Sequence, residues 1–143
     1  MLGVVGRESG EIRLRVRRRS TRKALEGPVL ADTRGGSVVN TDEWGAYRHL
    51  PEADRLHRTV NHNPRGPEWA RDDDGDGIRE VHCNTMEGIW TGLRNFLRPF
   101  RGVSKWYLDQ YVALFEWSHN IKSCTLSFLQ TLLGRSPTTK LGP

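Results

Sequence analysis

An amide, a carboxylate and two guanidiniums fall on one stripe of a single segment: Asn84, Glu87, Thr91, Arg94 and Arg98 follow at helical spacing. Such a stripe offers hard oxygen donors to a divalent cation and, further along, forked N–H donors to phosphate. The same spacing also describes a solvated helix face with an i, i+7 charge pair, and spacing alone leaves both open. Asp42 closes the short run Ser37-Val38-Val39-Asn40-Thr41. It stands either at the C-terminal end of a strand, where open α/β sheets bind ligands, or as the cap of the turn that follows. Asp72, Asp74, Asp76 and Gly77 reproduce the first half of a calcium loop, DxDxDG, but position twelve falls on Cys83 where a bidentate Glu is required. The competing description is a solvated acidic turn. Cys83 beside His82, with His57 and His62 upstream, lacks the second close ligand pair of a zinc site.

The elements that must position these groups follow from periodicity and punctuation. Met86, Ile89, Trp90, Leu93, Phe96 and Leu97 recur at three-and-four spacing, which predicts a helix with one buried face behind the polar stripe. Leu2 to Val5 and Ile12, Leu14 and Val16 flank Ser9-Gly10 and predict a β-hairpin whose second face carries Arg13, Arg15 and Arg17. Ser20 is the expected cap of a short helix through Ala24 and Leu25, interrupted or ended at Gly27-Pro28. The Val38 strand runs into a helical turn reaching Leu50, and His57 to His62 reads as one more short strand. A loop at 63–67 and the acidic turn follow. Beyond the long helix, Pro99 and Gly102 make a break, Ser104 is the expected cap of a helix through Leu108, Tyr111, Val112 and Phe115, and Ser123 opens another with Leu126, Leu129, Leu132 and Leu133. The tail from Arg135 is patternless and expected to fray. No internal repeat is visible.

The chain has 143 residues, 27% of them charged, enough for one domain with a core. No apolar run reaches the eighteen or so residues of a membrane span and no signal peptide opens the chain, so the expected compartment is the cytoplasm, without a membrane partner. Cys83 and Cys124 lack CxxC spacing and are expected as free thiols. The net charge of +5 favours an anionic partner. Arg13, Arg15, Arg17, Arg18, Arg19, Arg22 and Lys23 form one basic cluster and Arg94, Arg98, Arg101 and Lys105 another. Trp106 and Tyr107 beside the second cluster would suit a nucleic-acid face, but are expected to be core aromatics.

Thr41-Asp42-Glu43-Trp44-Gly45-Ala46-Tyr47, then His57 and Val60-Asn61-His62, then His82 through Trp90, then residues 101–103 and Tyr107-Leu108 together resemble the DDE-type transposases of bacterial and archaeal insertion sequences. The similar branch writes its third acidic position as Asn followed by Glu, and the likeness covers about residues 2–122. The resemblance implies an α/β, ribonuclease H-like catalytic domain over 2–98, a helical portion over 99–134 and a flexible tail over 135–143. It implies two divalent metals, Mg²⁺ or Mn²⁺, held by acidic residues against a phosphodiester for strand cleavage and transfer. Asp42 carries over as the second aspartate, Asn84 as the third-position residue and Glu87 as a further acid. Arg94, with Arg98, Arg101 and Lys105, carries over as the DNA-contacting set. The implied partners are element ends and target DNA, with a second copy or a full-length transposase, in association with the nucleoid.

One departure stands out. The family's first catalytic aspartate lies on a strand upstream of the hairpin that begins here at Leu2, and Glu8, Glu11, Glu26 and Asp32 sit in turn, hairpin-edge or helix settings instead. The zinc-ribbon and end-binding portions are missing as well. The expectation is an incomplete fold without its central first strand, from a truncated, frameshifted or split reading frame. Either the Val38 strand then pairs with the Val4 strand or ladder groups stay exposed. The functional alternatives are a noncatalytic DNA-binding remnant and, last, a calcium-dependent binder.

Overall fold

A computed structural model describes residues 1–61, 70–121 and 126–134; His62, the 63–67 loop, Ser123, Cys124 and the tail from Arg135 lie outside the described residues. The chain is mixed α/β. Strand β1 (Leu2–Val5) pairs antiparallel with β2 (Ile12–Arg15), placing Gly3 opposite Leu14 and Val5 opposite Ile12. Side chains alternate across a strand, so the hairpin has two working faces. Leu2 and Val4 face helix α1 (Arg22–Asp32), where Leu2, Leu25, Val29, Ala46 and Leu50 form one buried cluster. Ile12 and Leu14 join Leu93 and Val112 in a second cluster beneath α2 (Asn84–Leu97) and α3 (Leu108–Asn120).

Helix α1 runs on through Gly27-Pro28, against the expected interruption or end there. Pro28 removes one N–H from the ladder, which costs helix stability. Burial of Leu25 and Val29, one turn apart on the inner face, offsets it. The capping position is Thr21 rather than Ser20, and no side-chain cap bond is made there.

Strand β3 (Val38–Asp42) pairs in parallel with β4 (Leu56–Val60), so Asp42 lies opposite Val60 at the C-terminal end of both. The connection between them is two 3₁₀ turns, Gly45–Tyr47 and Leu50–Ala53. The acidic segment does not lead directly into the long helix. It is the loop of a small antiparallel ribbon, β5 (Ala70–Arg71) with β6 (Val81–His82). Helix α3 begins at Leu108, a turn later than a Ser104 cap implies, and Ser104 Oγ instead accepts the Trp106 N–H at 3.4 Å. Helix α4 spans Leu126–Leu132. No helix among the described residues is long and apolar enough to cross a membrane.

The six strands form three separate two-stranded sheets among the described residues. The Val38 strand therefore does not pair with the Val4 strand. Val39 nevertheless packs against the α1 cluster that also holds Leu2, so one helix carries both sheets. The other edge of the hairpin is treated differently: the outward Ile12 and Leu14 N–H groups donate to Asn120 Oδ1 (2.8 Å) and Glu116 Oε2 (2.6 Å) of α3, and Asn120 Nδ2 donates to Ile12 O (2.9 Å).

Gly3 sets how closely α2 approaches. A Cβ at this position would meet Met86 Cε at 2.6 Å and Trp90 Cη2 at 2.9 Å. Gly3→Ala is expected to lower stability by roughly 1–3 kcal/mol in a denaturant titration, through overpacking. Adding Trp90→Leu should recover part of that loss, because the two sites touch.

Candidate metal and phosphate site

Asp42 leaves the end of β3 exposed to solvent, and its Oδ1 accepts the Trp44 N–H at 3.2 Å. The capping description therefore holds locally, with the second oxygen still available for other partners. Asn84 is the first residue of α2 and Glu87 lies in its first turn, both exposed. Along the same stripe Thr91 Oγ1 donates to Glu87 O at 3.0 Å and Arg94 Nη2 donates to Thr91 Oγ1 at 3.1 Å. The polar stripe expected from spacing is thus a connected row on one helix face.

Cys83 stands between β6 and α2, at the capping position of that helix. Burial pushes its thiol up to about 11, and the negative charges of Asp42 and then Glu87 push in the same direction, with Arg7 opposing. Both carboxylates therefore act on one half-buried sulfur. Tyr47 reports the same neighbourhood: burial first, then Asp42, then Cys83 raise its phenol. β3, which ends at Asp42, lies against β6, the strand that runs into Cys83 and the first turn of α2. Two carboxylates and the Asn84 amide would offer only hard oxygen, the donor type that suits Mg²⁺ or Mn²⁺.

Sequence reasoning missed Arg7. From the tip of the hairpin its guanidinium donates to His82 O at 2.9 Å and to Glu80 O, clamping the hairpin to β6 immediately before Cys83. It brings positive charge beside the carboxylates, and after burial it is the second cause that lowers the His82 imidazole. A contact between a hairpin tip and backbone carbonyls over seventy residues away leaves no local signature.

Glu80 was also missed. Oxygens of Asp72, Asp74 and Glu80 lie within 4.8 Å of one another, making the acidic loop the one such group of three or more His, Cys, Asp or Glu residues among the described residues. The acid that joins the loop stands at position nine from Asp72, whereas the sequence comparison looked to position twelve. Glu80 Oε1 is occupied, by Arg58 Nη1 at 3.3 Å and the Asp73 N–H at 3.0 Å. Asp72 in turn accepts the N–H groups of Gly75 (2.6 Å) and Gly77 (2.8 Å), two glycines with left-handed φ of 80° and 89°. Those bonds, Gly77 first, hold the Asp72 carboxyl below its ordinary range.

Arg94, Arg98, Arg101 and Lys105 are all exposed. Trp106 and Tyr107, expected in the core, are 64% and 59% exposed. Their segment is a turn ahead of α3 rather than part of its apolar face, so helical periodicity does not govern them.

The profile of the ISXO2-like transposase domain matches residues 1–120. A protein of Halobacterium salinarum described as an uncharacterized protein in transposable element ISH50 is 32% identical over 112 residues, covering 73% of this chain and 35% of the relative. The chain thus spans about a third of that relative's length. No solved structure matches.

The electrostatics of Cys83 give a direct check. With Cys124 replaced by Ser and EDTA present, alkylation of Cys83 at pH 8 is expected to run about a hundredfold slower than that of an ordinary thiol near pKa 8.5. Asp42→Asn and Glu87→Gln each remove a charge that opposes the thiolate, so each should lower the pKa and speed the reaction. Rates unchanged in both variants would show that the carboxylates do not face this sulfur.

Proposed function

Because the chain belongs to the ISXO2-like transposase domain family, we propose that it supplies the Asp42, Asn84 and Glu87 part of a metal-dependent site for cutting and joining DNA strands. The supporting observation is that β3, which ends at Asp42, packs beside β6, the strand leading into the Asn84 and Glu87 turn of α2, and that the charges of Asp42 and Glu87 both act on Cys83. In this reading the domain is ribonuclease H-like, and Asp42, Asn84 and Glu87 hold Mg²⁺ or Mn²⁺. The ion supplies activation of water or a 3′-hydroxyl and charge neutralisation at the leaving oxygen. The chain's own residues do the rest. Arg94 is steadied by the Thr91 hydroxyl and presents its guanidinium to phosphate. Arg98, Arg101 and Lys105 extend the DNA contact, and the clamp from Arg7 fixes the peptide that leads into Cys83.

Of the four acids ahead of Asp42, all but Glu8 are engaged in structural pairs. Asp32 takes the Arg15 guanidinium through both oxygens (2.6 and 3.1 Å), Glu26 pairs with Arg22 at 2.9 Å, and Glu11 lies 3.6 Å from Arg13. In this reading the third catalytic carboxylate is none of these paired acids, and Glu8 sits at the hairpin turn, so the site formed by Asp42, Asn84 and Glu87 is partial. The second reading, a noncatalytic DNA-binding protein, draws on the same exposed cations without the metal.

Titration with Mn²⁺ followed by electron paramagnetic resonance tests the metal reading. Weak binding that is lost in Asp42→Asn and in Glu87→Gln is expected, with no nicking of supercoiled DNA above background in Mg²⁺ or Mn²⁺. Binding indifferent to both substitutions overturns the site. Robust nicking abolished by Asp42→Ala overturns the claim that it is partial, and salt-sensitive DNA binding without any metal binding favours the second reading.

A further inference from the structure

The two basic clusters, one after β2 and one before α3, are far apart in sequence, yet a single indole joins them. Arg18 Cζ stands 5.3 Å from the centroid of the Trp106 ring, and Lys105 Nζ stands 5.1 Å from it. Both distances are within the range at which a cation is drawn to an aromatic face. The ring is 64% exposed, so it holds two positive charges at the surface rather than burying them. Arg17 and Arg19 flank Arg18, are exposed, and make no ion pair or hydrogen bond with the described residues. The acids of the adjoining helix are turned elsewhere: Asp109 and Glu116 line the groove beside β2, together with Arg13 and Arg15.

Resting on the DNA-strand reading above, we infer that Arg17, Arg18, Arg19 and Trp106 extend the Lys105 contact into a further DNA-backbone surface. Three of its four cations are guanidiniums, whose planar forks match the two free oxygens of a phosphodiester. The ring restricts Arg18 and Lys105 in advance, so less side-chain freedom is lost when phosphate arrives. A tryptophan among cations also occurs at membrane surfaces, but that mode needs an apolar face to insert, and the run Arg17-Arg18-Arg19-Ser20-Thr21 has none. The surface stands whether or not the carboxylates bind metal.

Fluorescence anisotropy with a short labelled DNA duplex across a salt series tests this on the full chain. Each phosphate contact contributes about 0.9 to the slope of log K against log salt. The Arg18→Gln, Lys105→Gln double variant should therefore flatten that slope by about 2. Trp106→Ala should weaken binding while Trp106→Phe, which keeps an aromatic face, retains most of it. Arg79→Gln, on the acidic ribbon, should leave the slope unchanged, and the series is run in EDTA so that no metal held by Asp42 and Glu87 contributes. Melting curves confirm that the variants remain folded, as substitutions at exposed positions should. The inference is overturned by a wild-type chain that does not bind the duplex, by an unaltered slope in the double variant, or by tighter binding to anionic vesicles than to DNA.

Discussion

Strand β1 is enclosed on both faces, and the molecule is arranged around that constraint. Leu2 and Val4 serve the α1 side, where they share a cluster with Val39 of β3 and with Leu50 from the second 3₁₀ turn. Gly3 serves the α2 side by having no side chain at all, which lets Met86 and Trp90 lie against the strand. These two residues are on the first turns of α2, alongside Asn84 and Glu87. A contact with no chemistry of its own thereby fixes the height of the chemically interesting turn. On the opposite face α1 holds β3, and through it Asp42, against the same strand. The strand that ends at Asp42 and the helix that starts at Asn84 are thus seated on opposite faces of one strand, by one helix and by the thinness of one glycine.

Charge is distributed along the same lines. Upstream acids are consumed in holding elements together, as in the two-pronged Arg15–Asp32 pair between β2 and α1. Glu116 and Asn120 act on backbone amides, and Glu116 also lies 3.8 Å from the Arg13 guanidinium. Pairs of this kind, partly exposed, add little stability individually. Their effect is to leave Arg17 to Arg19 and Lys105 without intramolecular acids, so the positive charge implied by composition is concentrated at one end of the hairpin.

What the sequence disclosed tracks the length of each signal. Helix α2 was legible because six apolar positions repeat over fourteen residues, and the polar stripe behind it came with the same periodicity. The Val38 strand and Asp42 at its end were legible from β-branched residues and a turn. The β5–β6 ribbon was not, since two-residue strands carry no alternation to detect. Pro28 misled in the direction propensity dictates, because tertiary burial of Leu25 and Val29 outweighs the local cost. Trp106 was assigned to the core on hydrophobicity alone, though an amphipathic ring beside cations is as stable at the surface. Arg7 and Glu80 act through contacts that only the folded chain creates.

The blocked rim of β2 gives the hairpin a direction. With Asn120 and Glu116 seated on its amides, no further strand can dock there without first evicting α3. Lateral growth of that sheet is confined to the β1 side, the side turned away from α3. A ribbon insulated along one border and open along the other is asymmetric in what it can recruit: any added strand lies next to Leu2 to Val5, and indefinite stacking in both directions is forbidden.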